Sequence, residues 1–154
     1  TNVVAFNAAV GAWAKNKPAQ AILRMQKMIV FEALTRIVMR TPVDTGRARG
    51  NWQVTIAAPA EGTVNLTDKG GGATIANGIS NLATLPPWNI VFISNNVEYI
   101  NVLEDGGFIP TDPGPSKDPR KGRKGRVLVR GGYSVQAPHG MVAVTVNDLR
   151  QVFL

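Results

Sequence analysis

The stretch at residues 41–52, "TPVDTGRARGNW", decides the fold because it joins a long apolar-periodic segment to an alternating one. Pro42 predicts the end of a helix, since the residue before a proline is pushed out of the α region. Gly46 allows a positive φ at a turn. A phosphate-binding loop would have a strand before its glycines and a helix after them. Here the order is reversed, so we interpret the stretch as a structural corner between a helix and a strand.

The polar residues of this corner have predicted roles in holding it together. Asp44 and Thr45 are suited to accept hydrogen bonds from backbone N–H groups two residues further on. Arg47 and Arg49 follow the C-terminus of the predicted helix, where positive charge is favoured. Arg47 has two alternative partners, Asp44 or a group on another chain.

Upstream of the corner, residues 19–40 predict one long helix with an apolar stripe at three- and four-residue steps. The stripe consists of Ile22, Met25, Ile29, Ala33 and Ile37, widened by Met28, Leu34 and Val38. Residues 3–14 predict a separate, alanine-rich helix. Residues 16–18 interrupt it, and Pro18 suits the first turn of a new helix.

Downstream, residues 52–56 alternate in polarity and predict a half-buried strand with Trp52 in the core. Residues 58–72 read as a glycine-rich loop, and residues 73–82 as a short helix. Residues 88–94, "WNIVFIS", predict a strand buried on both faces or nearly so. Two asparagines then turn the chain.

The last third of the chain predicts a short helix at residues 97–104, ended by Asp105 and two glycines. A long exposed loop at 108–126 follows, and residues 126–129 could extend a strand. The segment 141–154 predicts a final helix with one buried stripe, formed by Val142, Val146, Leu149 and Phe153. We therefore predict a single domain, residues 1–154, of the α+β class: a long N-terminal helix packed on a small mixed or antiparallel β-sheet, with short helices and long loops.

Almost all of the net charge of +7 lies in residues 117–130, which we interpret as part of an extended basic arm at residues 108–130. The cations are Lys117, Arg120, Lys121, Arg123, Lys124, Arg126 and Arg130, against one acid, Asp118. Such a segment indicates a polyanion or an acidic partner surface. Two interpretations stay open: contact with nucleic-acid phosphates, or a solvated loop that orders only in an assembly. No aromatic residue is interleaved, so base stacking is not supported.

Catalytic and metal chemistry have little support in the composition. Cysteine is absent, which excludes disulfides and thiolate metal sites. His139 is the only histidine, which speaks against a histidine-based zinc site within one chain. Glu98, Glu104 and Asp105 are close in sequence, yet no nucleophile stands near them. We assign these acids a solvated or subunit-contact role and predict no enzyme, no cofactor and no metal, with a small hydrolase using Glu98 or Glu104 as a weaker alternative.

We also expect neither a membrane span nor a secretory signal. No apolar run approaches the roughly 18 residues that a span requires. A basic region followed by an apolar block is not seen at the start of the sequence.

Three blocks carry a resemblance to a known family: "RTPVDTGRARGNWQV", then "YINVLEDGG", then "QAPHGMV" before the final helix. In this order they resemble the tail-completion proteins of long-tailed bacteriophages, also called tail-to-head joining, neck or minor tail proteins. The resemblance implies a small α+β subunit, with no enzymatic activity, that joins rings of the head connector to the tail tube. It also implies structural-corner roles for Pro42, Asp44, Thr45, Gly46, Arg47, Trp52, Tyr99, Glu104, Gly106, Pro138 and Gly140.

From this resemblance we expect a virion protein that is made in the cytoplasm of a host bacterium and located in the phage neck or tail. The expected partners are further copies in a homo-oligomeric, hexameric ring, the head-connector proteins and the tail-tube or terminator proteins. Sequence-independent contact with genomic DNA is a further expectation, and a membrane is not. The alternative from another class is a nucleic-acid-binding module that uses residues 117–130.

The predicted packing also leads to an expectation about assembly. If the long helix covers the sheet, no uninterrupted apolar stripe is left over, so subunit contacts should be polar and formed by loops. We therefore expect the purified protein to be monomeric or weakly associated, and to form a ring only on a connector or tail template.

Overall fold

The structure, a computed structural model, describes residues 2–107, 129–130 and 132–153. The elements within these ranges are α1 (Asn2–Arg40), α2 (Arg47–Gly50), β1 (Gln53–Ile56), α3 (Gly72–Leu82), β2 (Val91–Ser94), α4 (Ile100–Asp105), β3 (Val129–Arg130), β4 (Tyr133–Ser134) and α5 (Val142–Phe153). A long N-terminal helix packs on a small antiparallel sheet with short helices around it, so the predicted α+β class is confirmed.

The predicted break near residue 16 is wrong, because α1 is one continuous helix of 39 residues with Pro18 inside it. A proline within a helix costs roughly 3 kcal/mol. The sequence on both sides is rich in alanine, the strongest helix former, which favours continuation through this position. At 1.5 Å per residue the helix is about 58 Å long.

The buried face of α1 is the C-terminal part of the predicted stripe. Leu34, Ile37 and Val38 form the buried part of α1, whereas Met25 and Met28 are 55% and 51% exposed. All three buried residues belong to the predicted stripe or its widening, so this part of the prediction is confirmed, and its N-terminal methionines are the part that is wrong. Apolar residues cover more than half of the circumference of α1, so periodicity alone cannot select the side that faces the core.

The sheet consists of β1 paired antiparallel with β2, with Val54 opposite Ile93 and Ile56 opposite Val91. The strand β2 is shorter than predicted and half-buried rather than buried on both faces. Trp88, which the prediction included in this strand, is 70% exposed. In the described part of the chain β2 has β1 as its one strand neighbour, so an apolar sequence here does not mean a central strand.

Helix α3 packs against both α1 and β1, and its glycine makes this possible. A Cβ at Gly78 would lie 2.3 Å from Leu34 Cδ2 and 2.9 Å from Val54 Cγ2. The absence of a side chain at this position therefore lets the helix approach the core closely.

The final helix is confirmed, but its buried stripe is corrected. Val146 is 39% exposed, whereas Thr145 is fully buried against α1. Arg40 on α1 donates to Thr145 Oγ1 at 2.8 Å and to the carboxylate of Asp148. A polar contact thus decides the rotation of α5, which an apolar pattern could not indicate.

The corner at residues 41–52 turns back onto the end of α1. The hydroxyl of Thr41 donates to the carbonyl of Ile37 at 2.7 Å and accepts the indole N–H of Trp52 at 2.8 Å. Thr41 is fully buried and Trp52 is 7% exposed, so the prediction that Trp52 belongs to the core is confirmed. The helix end and the start of β1 are thereby joined.

Gly46 has φ 91°, as predicted for the corner, and the N–H of Arg47 donates to Thr45 Oγ1 at 3.2 Å. Asp44 is exposed and accepts no such bond among the described residues, so its predicted role is wrong. The loop 64–69 passes over the turn. A Cβ on Gly46 would lie 2.8 Å from the carbonyl carbon of Asp68.

Gly46→Ala is therefore expected to destabilise more than Gly62→Ala. Both glycines have positive φ, but nothing lies within 4 Å of a Cβ at Gly62. The left-handed backbone alone should cost either variant about 1–2 kcal/mol, and Gly46→Ala should lose further stability by displacing residues 68–69. Urea denaturation of the two variants tests this, and equal losses would contradict the close approach.

Candidate functional site

The three sequence blocks meet in the structure, beginning with the first and the third. The N–H of Val43 donates to Gln136 Oε1 at 2.9 Å, and Gln136 Nε2 donates back to the carbonyl of Val43 at 3.2 Å. One glutamine side chain thus satisfies both backbone groups of a corner residue. The segment that leads into α5 is held on the end of α1 in this way.

The second block joins the third through Glu104. Its carboxylate accepts the backbone N–H groups of Met141, Val142 and Ala143 at 2.7, 2.9 and 2.8 Å. These donors lie at the start of α5, where a helix leaves N–H groups unpaired and favours negative charge. Gly140, with φ 77°, permits the approach, because a Cβ there would lie 2.5 Å from the carbonyl oxygen of Glu104. The Glu104 carboxylate is therefore engaged within its own chain.

Glu98, the other glutamate of this region, has a different partner. Arg47 Nη2 lies 3.1 Å from Glu98 Oε1, so within this chain the partner of Arg47 is Glu98 and not Asp44. The backbone N–H of Glu98 and the guanidinium of Arg47 hold the pKa of this carboxyl below its ordinary value. Because both side chains are well exposed, the pair adds little to stability.

Arg49 and Asp68 hold the loop 64–69 over the corner. Arg49 donates to the carbonyls of Met39 and Thr41 at the end of α1, as its position predicted, and to that of Lys69. Asp68 accepts the N–H groups of Gly71 and Thr74, and the Thr74 hydroxyl, at the start of α3. Burial raises the pKa of Asp68, but the hydrogen bonds from Thr74 and Gly71 outweigh it and lower the pKa overall.

Asp68 was not among the predicted residues, although an acid shortly before a helix is a recognisable start signal. Of the other predicted corner positions, Pro42 lies two residues after the last residue of α1, and Tyr99 precedes α4 and packs against the core. Gly106 has φ 80° beside the ring of Tyr133, and Pro138 is exposed in the turn before α5.

The predicted basic arm lies outside the described residues, with the exception of two positions of its backbone. Val129 and Arg130 form β3, which pairs antiparallel with β4. The predicted strand extension at 126–129 therefore falls only partly on the described chain. The DNA-contact or subunit-contact cations at 117–126 fall entirely outside it.

Several apolar side chains are exposed on α1 and just before β2, where the expectation was that no uninterrupted apolar stripe would be left over; Val64, Ile79, Val135, Val146 and Val152 are exposed elsewhere. On α1 these side chains are Met25, Met28, Phe31 and Met39, 40–55% exposed, and we call them the methionine face. Trp88 and Ile90, 70% and 66% exposed, form the second part, which we call the tryptophan ridge. Exposed apolar clusters on soluble proteins commonly mark interaction sites, so these are the candidate functional surfaces.

A groove of about 440 Å³ lies between β1, α3 and the loop 64–66. Its walls carry amide and hydroxyl groups, including Gln53, Thr55, Asn77 and Asn81. Asn81 Nδ2 donates to the carbonyl of Val54 at 3.0 Å, which occupies one backbone group of β1. We find no titratable group in the lining of this groove and assign it no chemistry.

Comparison with protein-family models, with curated proteins and with solved structures gave no match to this chain. Within residues 2–107, 129–130 and 132–153, no helix combines the length and the apolar character needed to cross a membrane.

Replacing Glu104 by glutamine is expected to destabilise the protein by about 2 kcal/mol, because charge-assisted hydrogen bonds to three N–H groups are weakened. Asp105→Asn is the matched control: the neighbouring acid is exposed, and the change in charge is the same. The control should stay within about 0.5 kcal/mol of the wild type. Thermal or urea unfolding measures both, and equal stability of the two variants would contradict the capping role of Glu104.

Proposed function

We propose that this chain is a structural virion protein of a tailed phage, a ring-forming tail-completion or neck subunit that joins the head connector to the tail tube. The observation that carries the proposal is that two sets of residues have different roles, one inside the fold and one at the surface. The residues of the three blocks hold the fold together, while apolar groups on α1 and before β2 are left at the surface. A subunit of an assembly needs both a fixed body and unpaired surface.

The contacts of the corner residues support the proposal. Trp52, Glu104 and Gly140 each act inside the body, in the structural roles that the resemblance implies for them. The two glutamates of the hydrolase alternative have separate partners, Arg47 for Glu98 and the start of α5 for Glu104. Neither contact resembles a pair of carboxylates that shares a substrate.

The proposed partners are further copies of the chain in a homo-oligomeric, hexameric ring, the head-connector proteins and the tail-tube or terminator proteins. In the proposed ring the arm at 108–130 would form a band of positive charge. On the lumen such a band would hold DNA through its phosphates, without reading sequence. At the contact between two subunits, the band would instead bind acidic groups of the neighbouring subunit.

The arm should matter for joining and not for folding. Replacing Arg120, Lys121, Arg123 and Lys124 by serine should hardly change the melting temperature, because charge-dense segments rich in proline and glycine do not build a core. In a complementation assay with a phage that lacks the gene, joining of heads to tails should fall. If heads and tails join normally with the four-serine variant, the charges of the arm are only a solvated surface. That result would contradict this part of the proposal.

The matched control removes two cations from the body of the protein, Lys69 and Arg150, whose side chains are exposed. It is compared with a two-cation arm variant at Arg123 and Lys124, so that net charge changes equally. We expect a joining defect only in the arm variant. If instead the free protein binds DNA with a steep salt dependence that the arm variant loses, and joining is unaffected, the nucleic-acid-binding alternative replaces the proposal.

A further inference from the structure

Helix α3 contains the only Asn-Gly pair of the sequence, Asn77 followed by Gly78. The Asn77 side chain is exposed and lines the groove between α3 and β1, so water reaches its carboxamide. In such a pair the backbone nitrogen of the glycine can attack the side-chain carbonyl carbon of the asparagine, because glycine has no side chain that obstructs the approach. The pair is therefore a candidate site of covalent self-modification.

The reaction needs water and no other protein group. A bond forms between the backbone nitrogen of Gly78 and Cγ of Asn77, while the bond from Cγ to Nδ2 breaks. Ammonia leaves and takes up the proton of the Gly78 N–H, and a cyclic imide remains. Water then opens the imide at either carbonyl carbon. One product is aspartate, and the other is isoaspartate, in which the main chain runs through the side-chain Cβ.

The folded helix α3 opposes this reaction. Within a helix each backbone N–H donates to the carbonyl four residues earlier, so the nitrogen of Gly78 is held in the hydrogen-bond ladder of α3. Helical side chains also tilt toward the N-terminus, which turns the Asn77 carboxamide away from the nitrogen of the next residue. Attack therefore requires that α3 first opens locally.

The isoaspartate product does not fit the packing of α3. A single Cβ added at Gly78 would already lie 2.3 Å from Leu34 Cδ2 and 2.9 Å from Val54 Cγ2. Isoaspartate inserts a methylene into the main chain directly before this glycine, and it displaces the rest of the helix, including the buried Leu82. Protein interiors are too densely packed to absorb such a displacement. A modified α3 should consequently be unable to repack on α1 and β1.

We infer that Asn77 and Gly78 form a self-modification site that the opening of α3 controls. The pair is protected while α3 packs on α1 and β1, and conversion of Asn77 to isoaspartate in the open state prevents the helix from closing again. Asp68 opposes the opening, because its carboxylate accepts the N–H groups of Gly71 and Thr74 at the start of α3. This inference does not depend on the proposed function.

The conversion can be followed in the whole chain by mass spectrometry of a proteolytic peptide that contains residues 77 and 78. The wild-type protein is kept at mildly alkaline pH, either folded in buffer or unfolded in guanidinium chloride. We expect Asn77 to be the first asparagine converted in the unfolded chain, and to convert at least about tenfold more slowly in the folded protein. Asn81, in the same helix but followed by the bulky Leu82, is the internal control. Equal rates in the two states, or no conversion of Asn77 in the unfolded chain, would overturn the inference.

Weakening the start of α3 should accelerate the conversion in the folded protein. Asp68→Asn removes the negative charge that accepts the N–H groups there, and we expect the rate at Asn77 to rise severalfold. Glu61→Gln, on an exposed loop, is the matched control with the same change in charge and should leave the rate unchanged. Equal rates in the two variants would contradict the control by α3. The comparison of folded and unfolded wild type decides the question if Asp68→Asn fails to fold.

The effect on packing is measured after refolding. Wild-type and Asn77→Gln chains are aged in guanidinium chloride and refolded by dilution, beside an Asn77→Asp chain that is not aged. Asn77→Gln accounts for other chemical damage, and Asn77→Asp adds the charge without the extra methylene. We expect a lower melting temperature only for the aged wild type. An unchanged melting temperature, or an equal decrease in Asn77→Asp, would overturn the inference.

Discussion

The hydrogen bond between the indole N–H of Trp52 and the hydroxyl of Thr41 is the contact on which the rest of the structure depends. Both groups are buried, and an unpaired donor there would cost about 1–3 kcal/mol. The Thr41 hydroxyl also donates to Ile37, so one side chain ends α1 and positions the start of β1. The loop 64–69 and α3 pack over the corner formed in this way, where Gly46, Gly50 and Gly78 leave no side chain in their path.

Sequence predicted the features that depend on neighbouring residues. Pro42 and Gly46 indicated the corner because a proline restricts the residue before it and a glycine permits positive φ. Helices α3 and α5 were predicted within one residue of their observed bounds, whereas α4 begins three residues later than predicted. The burial of Trp52 was also predicted, since strand alternation placed it with Val54 and Ile56.

Features that depend on distant partners were not predictable in this way. The three N–H groups that Glu104 accepts lie 37–39 residues away, and Glu98 is 51 residues from Arg47. The predicted stripe of α1 was too broad, because apolar residues occupy several faces of that helix and only some of them are buried. The apolar residues of α1 that the core does not use include Met25 and Met28, which are exposed.

The central claim is that the Trp52–Thr41 contact couples the end of α1 to β1, and a double-mutant cycle tests it most directly. Trp52→Phe removes the donor, and Thr41→Val removes the hydroxyl that accepts its hydrogen bond. The free energies of unfolding of both single variants and of the double variant are measured by urea denaturation. We expect a coupling energy of about 1 kcal/mol or more, with the double variant more stable than the sum of the single losses predicts. Additive losses, within about 0.3–0.5 kcal/mol, would contradict the claim.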